Sequence, residues 1–212
     1  MSYINEIAYH LGIRSEVPNQ ILAKKLAEEN NKEGIKEIAS YLYDKNKSVA
    51  SDCLKVLYET GYIKPELIAP YADEFIKLLS SKQNRMVWGA MIAIACCANA
   101  VPGKVLEHKD LIMEKIKTGT VITNVWGVKT LINIAKADEG GYKELKAHLF
   151  ELQKSCRPVD FAKRAEDMMG AVRKKDIPEY IDILEIGKAA LSAAGAKRTD
   201  SVIKKLRLSY DK

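Results

Sequence analysis

One apolar pattern recurs four times along the chain at a nearly constant period. The four segments are 47–61, 85–99, 123–137 and 160–174. Their first aligned apolar column recurs after 37, 38 and 37 residues, and it holds Ala50, Val87, Val125 and Ala162. Repetition at this period is typical of stacked helical arrays, because each unit can bury its apolar face only against its neighbours.

The aligned columns place small and then larger apolar residues on one side of each segment. The second column holds Cys53, Ala90, Val128 and Ala165, and the third holds Leu57, Ile94, Ile132 and Met169. Columns spaced i, i+3 and i+7 share one helical face. Each segment is therefore predicted to be a helix that buries this face against neighbouring helices.

Another amphipathic segment precedes each repeated helix. These segments are 34–44, 66–80, 104–117 and 142–155, and a last one lies at 179–194. Gly or Pro lies between the pairs, as at Gly61, Pro65 and Pro178. Gly closes helices by tolerating positive φ and Pro starts them by fixing φ. Pro70 falls inside a predicted helix, which we expect it to kink or delay.

The first repeat resembles a HEAT unit. Asp44 lies in the turn five residues before Val49, the first Val of the second helix. The resemblance covers roughly residues 34–194 and implies an all-α fold, a right-handed α-α superhelix of HEAT/armadillo-like helix pairs. The other repeats lack this Asp, so no subfamily follows.

We predict a single helical-repeat domain over residues 1–212. Residues 1–33 are expected to form cap helices at 3–11 and 18–30, because the first repeat must cover the open end of the stack. Residues 34–194 supply four to five helix pairs. Residues 195–212 form a basic C-terminal helix with an apolar stripe of Val202, Ile203 and Leu206.

The charge of the chain is basic and unevenly distributed. Its formal net charge is +6, with a pI near 9.0, and residues 188–212 hold most of the excess. The four cysteines, of which Cys96 and Cys97 lie in an apolar run, are predicted to be small buried hydrophobes in a reducing compartment. Neither a signal peptide nor a membrane-length apolar run is seen, so a cytoplasmic location is expected.

Two tryptophans are the sharpest candidate for a binding site. Trp88 and Trp126 share one column with Ser51 and Lys163, on the helices that usually line the concave surface of such arrays. Both rings either face that groove or pack between helices; Trp is buried on average. An exposed aromatic pair beside cations could hold a peptide side chain or a base. The groove candidates are Lys55, Tyr58, Trp88, Trp126, Lys129, Thr130, Asn133, Lys163 and Asp167.

Basic residues recur near the turns that start the second helices. The main ones are Lys47, Arg85, Arg157 and Arg164. Helix N-termini carry partial positive charge, so a row of such turns would form a basic edge that attracts anions. Ordinary solubility charge is the alternative.

The size and the tryptophans also resemble HEAT-like DNA glycosylases of the alkylation-repair class. That resemblance implies a groove with an essential Asp one turn after a Trp. Here the residues four after Trp88 and Trp126 are Ile92 and Thr130, and Asp167 lies one repeat away. No catalytic, metal-binding or phosphate-loop motif is found, so no cofactor or metal is expected.

Two functions follow, and the first is preferred. The first is a non-catalytic interaction module that binds a protein or peptide on the concave face. The alternative is a nucleic-acid-binding protein related to the glycosylases. Membrane anchoring is not expected, because the apolar stripe of the basic tail is short.

Overall fold

The computed structural model describes residues 2–210, and within them every regular element is a helix. The chain divides into two compact units, one ending at Thr130 and the other beginning at Leu131. The α-helices are α1 Val17–Glu28, α2 Lys32–Ser40, α3 Lys47–Ile63, α4 Pro65–Ile68, α5 Ala72–Leu78, α6 Asn84–Cys97, α7 Pro102–Leu106, α8 Lys109–Thr118, α9 Val121–Ala137, α10 Glu139–Lys154, α11 Pro158–Met168, α12 Ile177–Lys188 and α13 Ala193–Tyr210. Short 3-10 helices lie at Tyr3–Glu6, Ala69–Tyr71 and Lys174–Asp176.

The first unit is built on contacts between the repeated helices. α3 packs against α1, α2 and α6, and α5 packs against α6. Gly61 lets α3 approach its neighbours closely, since a Cβ there would lie 2.5 Å from Cδ1 of Ile68 and 2.9 Å from Cβ of Cys96. Close packing of this kind is what the small residues of the aligned columns predict.

Most positions of the three columns are buried and confirm the predicted helix face, with two exceptions. The second column is buried in all four repeats, as are Leu57, Ile94 and Ile132 of the third. The fourth member of the third column, Met169, is only half-buried. Val125 was expected to be buried in the first column, and this prediction is wrong because its side chain is 39% exposed. Val125 lies near the start of α9 beside Val121 and Ile122, which are also exposed.

Side-chain caps and breaks set the helix ends. The Asn46 carboxamide accepts a hydrogen bond from the Ser48 N–H at the start of α3, and Asp138 accepts one from Gly141 at the start of α10. Pro70 divides the predicted helix 66–80 into α4, a 3-10 turn and α5. The predicted helix 3–11 is instead a 3-10 turn followed by bends, and it ends at Gly12, whose φ is +68°.

The second unit ends with two helices, α12 and α13, that pack against each other. α13 packs on α11 and α12, and it buries Val202, Ile203 and Leu206, the stripe predicted for the tail. The Tyr180 hydroxyl donates to Oε1 of Gln153 over 3.1 Å, and Nε2 of Gln153 donates to the Phe161 carbonyl over 3.2 Å. These bonds satisfy polar groups that lie in the core.

The cysteines are free thiols. Cys53 and Cys97 are buried, as predicted, whereas Cys96 and Cys156 are half-buried. Burial raises the pKa of Cys53 to about 12, so its thiol stays protonated near neutral pH. Across residues 2–210, no helix combines the length and apolar character needed to cross a bilayer.

Candidate functional site

Four aromatic rings from three helices form a continuous row in the first unit. Tyr58 and Tyr62 lie one turn apart on α3, Trp88 lies on α6, and Trp126 lies on α9. Ring centroids are 6.2 Å apart between Trp88 and Tyr58, 5.9 Å between Tyr58 and Tyr62, and 5.7 Å between Tyr62 and Trp126. These separations are within the range of favourable aromatic contacts. We call these four rings the aromatic strip.

The aromatic strip is only partly accessible. Tyr58 is 4% exposed and fills the space between its neighbours, whereas Tyr62 is 47% exposed. Trp88 and Trp126 are both half-buried. Each tryptophan therefore packs against a tyrosine of α3 and also keeps part of its surface open to a ligand.

Near one end of the strip, beside Tyr58, the ammonium of Lys55 is neutralised by carboxylates of the chain itself. The Lys55 ammonium lies 4.9 Å from the centroid of the Tyr58 ring. It is 2.7 Å from a carboxylate oxygen of Glu59 and 2.9 Å from one of Glu16. Glu16 also accepts a hydrogen bond from Arg85 over 3.1 Å. We call Lys55 on Tyr58, together with the carboxylates of Glu59 and Glu16, the closed pair.

Burial and ion pairing act in opposite directions on the closed pair. The Lys55 side chain is only 9% exposed, and that burial by itself lowers its pKa. The hydrogen bonds to Glu59 and Glu16 outweigh burial, so the pKa of Lys55 is raised above its usual value. The ammonium is therefore charged at every physiological pH.

At the other end, a lysine lies over a tryptophan without an acidic partner. The Lys129 ammonium is 4.4 Å from the centroid of the Trp126 ring, a cation–π contact made within one turn of α9. Within residues 2–210, no carboxylate lies within ion-pair distance of Lys129. The residue four positions later is Asn133, where Lys55 has Glu59. We call Lys129 on Trp126 the open pair.

The helix that carries the open pair is fixed from inside the first unit. The Thr130 hydroxyl donates to the Trp126 carbonyl over 3.0 Å, and Thr130 is fully buried. At Gly127, a Cβ would lie 2.5 Å from Cγ1 of Ile116, so α9 can approach α8 closely here. Thr130 was predicted to face the groove; this is wrong, because its hydroxyl bonds to its own helix.

Several other predicted contact residues have structural roles. Lys55 and Tyr58 are almost buried, so they support the strip and offer little surface to a ligand. Arg164, predicted to lie on an exposed basic edge, is buried, and its guanidinium donates to the Leu152 carbonyl. That prediction is also wrong, because α10 and α11 enclose the side chain.

The remaining candidates are divided between the two units. In the second unit Lys163 is exposed, and its Nζ lies 2.6 Å from Oδ1 of Asp167. Asn133 is half-buried. Of the predicted basic edge, Arg157 pairs with Asp160 at 2.7 Å, and Lys47 is exposed on the first unit. No group of three His, Cys, Asp or Glu side chains that could hold a metal occurs within residues 2–210.

Comparison with known proteins identifies the fold. No protein-family model and no curated protein matches the chain. An engineered protein matches with a TM-score of 0.67 and 15% identity, over 98% of this chain and 97% of that one. A designed armadillo repeat protein in complex with the peptide (KR)4 matches with a TM-score of 0.68 and 15% identity, over 88% and 86%. Another designed armadillo repeat protein matches with a TM-score of 0.62 and 15% identity, over 96% and 98%.

The chain has an armadillo/HEAT-like helical-repeat fold. The predicted all-α, α-α superhelical class is thereby confirmed. An identity of 15% shows the fold alone.

Sequence reasoning on this armadillo-like chain missed three members of the site. Tyr62 lies four residues after Tyr58, and Glu59 lies four residues after Lys55, so both contacts follow the ordinary i, i+4 rule. Glu16 gave no local signal, because it approaches Lys55 only through the packing of the α1 segment on α3.

Proposed function

We propose that this chain is a non-catalytic interaction module that binds a protein or peptide segment on the aromatic strip. The observation that carries the proposal is the open pair, a half-buried tryptophan and an unneutralised lysine beside the exposed Tyr62. Aromatic side chains in partly closed surfaces contribute most of the binding energy at many protein interfaces.

The architecture supports this proposal. Helical repeats contact mainly their neighbours, and the surface along successive helices stays available to extended ligands. The designed armadillo repeat protein that resembles this chain is itself in complex with a peptide. Here the aromatic strip runs over α3, α6 and α9, one helix from each of three successive repeats.

Nucleic-acid binding is the weaker alternative. A base could stack on Trp126 beside Lys129, as in single-strand-binding proteins. However, the Glu16 and Glu59 carboxylates lie at the same strip, and Arg85 and Arg157 already engage carboxylates. A phosphate backbone needs several free cations in a row to bind tightly.

A fluorescence titration tests the proposed function directly. Both tryptophans of the chain belong to the aromatic strip, so fluorescence excited selectively at tryptophan reports on this surface. The probe is a blocked, uncharged peptide with three repeats of Leu-Ser-Gln-Ser, and oligo-dT is the nucleic-acid probe. We expect saturable binding of the peptide, weakened about tenfold or more by Tyr62→Ala, the loss of an interface anchor.

The matched control is Tyr43→Ala, which removes an exposed tyrosine of the same unit outside the strip. It is expected to bind the peptide as the parent does. A fluorescence response to oligo-dT that weakens steeply with salt, with none to the peptide, would favour the nucleic-acid alternative.

A further inference from the structure

The two lysine–aromatic pairs of the strip differ in one respect. Lys55 lies on Tyr58 and has two carboxylates within 3 Å, both from this chain. Lys129 lies closer to its ring, at 4.4 Å, and has none. The closed pair thus contains an aromatic ring, an ammonium and two carboxylates, whereas the open pair contains only the ring and the ammonium.

The charges around the strip also leave Lys129 without a carboxylate partner among the described residues. Glu16 and Glu59 are matched by Lys55 and Arg85, all four joined by contacts of 2.7 to 3.1 Å. Lys129 is the one charge at the aromatic strip that no other described residue compensates. A ligand that buries this ammonium must supply a negative group, because an unpaired buried charge is costly.

The open pair is also prepared for such a group. The cation–π contact holds the Lys129 ammonium beside Trp126, so less side-chain freedom is lost when an anion binds. The Tyr62 ring lies 5.7 Å from the Trp126 ring and is 47% exposed, which leaves an apolar surface next to the cation. The site therefore offers an apolar contact and an ion-pair partner side by side.

We propose that the partner is an extended acidic peptide segment whose carboxylate pairs with Lys129 while an apolar side chain packs on Tyr62 and Trp126. In an extended strand, side chains i and i+2 point to the same face and lie roughly 7 Å apart. That spacing is comparable with the 5.7 Å between the Tyr62 and Trp126 rings and the 4.4 Å from the Trp126 ring to the Lys129 ammonium. The motif is therefore an apolar residue and an Asp or Glu two positions apart. This inference rests on the proposed function and names its ligand chemistry.

Three blocked peptides test the proposal, with three repeats of Leu-Ser-Glu-Ser, Leu-Ser-Gln-Ser or Leu-Ser-Lys-Ser. The titration uses the Trp88→Phe variant, in which Trp126 is the remaining tryptophan and reports on the open pair. We expect the glutamate peptide to bind about fivefold more tightly than the glutamine peptide at low salt, the upper range for a partly exposed ion pair. The lysine peptide should bind most weakly, and salt should reduce these differences.

Variants of the lysine separate charge from shape. Lys129→Met should make the glutamate and glutamine peptides bind equally, and Lys129→Arg should keep the preference for glutamate. The control is Lys36→Met, which removes an exposed lysine of α2 that forms no ion pair with the described residues. It should leave the preference unchanged.

The outcomes distinguish this inference from the function on which it rests. Equal binding of the glutamate and glutamine peptides, or tightest binding of the lysine peptide, would overturn the acidic ligand and leave peptide binding intact. If none of the three peptides changes Trp126 fluorescence, the proposed function fails and the acidic ligand fails with it.

Discussion

Each end of the aromatic strip has a lysine ammonium over an aromatic ring, but only one of the two ammonium groups is neutralised by carboxylates of the described residues. In the closed pair, Lys55 is buried against Tyr58 and its charge is met by Glu16 and Glu59. In the open pair, Lys129 rests on the half-buried Trp126 and its charge is met by no described residue. Both contacts place a lysine over an aromatic ring, and they differ in whether a carboxylate of the described chain neutralises the ammonium.

The difference between the two ends has a local cause. Lys55 is followed four residues later by Glu59, and α1 begins beside Glu16, so both acids reach the ammonium. At the corresponding offset from Lys129 the chain has Asn133, an uncharged residue. The Lys55 ammonium is thus neutralised within the fold, whereas the Lys129 ammonium has no carboxylate partner among the described residues.

The largest expected effect on the free energy of unfolding comes from substitutions in the closed pair. The double change Glu16→Gln with Glu59→Gln leaves the buried Lys55 ammonium without a carboxylate. We expect a loss of about 2–4 kcal/mol in the free energy of unfolding, measured by urea denaturation. Lys129→Met, at the open pair, should change stability by less than about 0.5 kcal/mol.

Adding Lys55→Met to the double variant tests the assigned cause. If the stranded charge is responsible, the triple variant should recover much of the lost stability, because it removes the ammonium. A double variant as stable as the parent would contradict the closed pair as a structural element.

A second effect should appear at alkaline pH. Burial lowers the pKa of Lys55, but its hydrogen bonds to Glu59 and Glu16 outweigh this and raise the pKa in the folded state. A raised folded pKa gives stability that is present below the unfolded value of about 10.4 and is lost as pH rises above it. Burial likewise raises the pKa of Tyr142 to about 12, so this buried tyrosine contributes to the same loss of stability at alkaline pH.

The measurement is urea unfolding between neutral pH and about pH 11.5, the range that spans the unfolded pKa of lysine. The parent should lose stability as pH rises above about 10. The free energy of unfolding of Lys55→Met should fall less steeply with pH. The difference between the curves of the parent and of this variant is the contribution of Lys55 to the pH dependence. Identical slopes would mean that Lys55 contributes nothing to this dependence.

The sequence predicted the helices and some of the site residues, but it did not predict the contacts that complete the site. The repeat period and the apolar columns predicted the helices, and the shared column brought Trp88 and Trp126 into consideration, because local periodicity fixes which residues share a face. The buried state of Thr130 and Arg164 was missed, because it depends on which neighbour encloses each side chain. Glu16 was missed because its contact with Lys55 joins positions far apart in the chain.

A smaller effect concerns the local potential at each tryptophan. Each quenching constant is divided by the constant of the same ion for free N-acetyltryptophanamide, because iodide quenches indole more efficiently than caesium even without a local charge. In Trp88→Phe, the divided constant of Trp126 should be larger for iodide than for caesium, because the uncompensated Lys129 attracts anions. In Trp126→Phe, the two divided constants of Trp88 should be about equal, because Lys55 is neutralised. Equal divided constants for Trp126 would contradict the electrostatic difference between the two ends.

The smallest effect is expected at Ser51, which occupies the tryptophan column on α3. Its hydroxyl oxygen is buried and makes no hydrogen bond within residues 2–210. A buried hydroxyl without a partner costs free energy, so Ser51→Ala should be neutral or stabilise the fold by up to about 1 kcal/mol in urea unfolding. A clear loss of stability would mean that the hydroxyl hydrogen-bonds to an ordered water molecule in the folded state. In that case the closed end of the strip admits water, and its contrast with the open end is one of charge and not of burial.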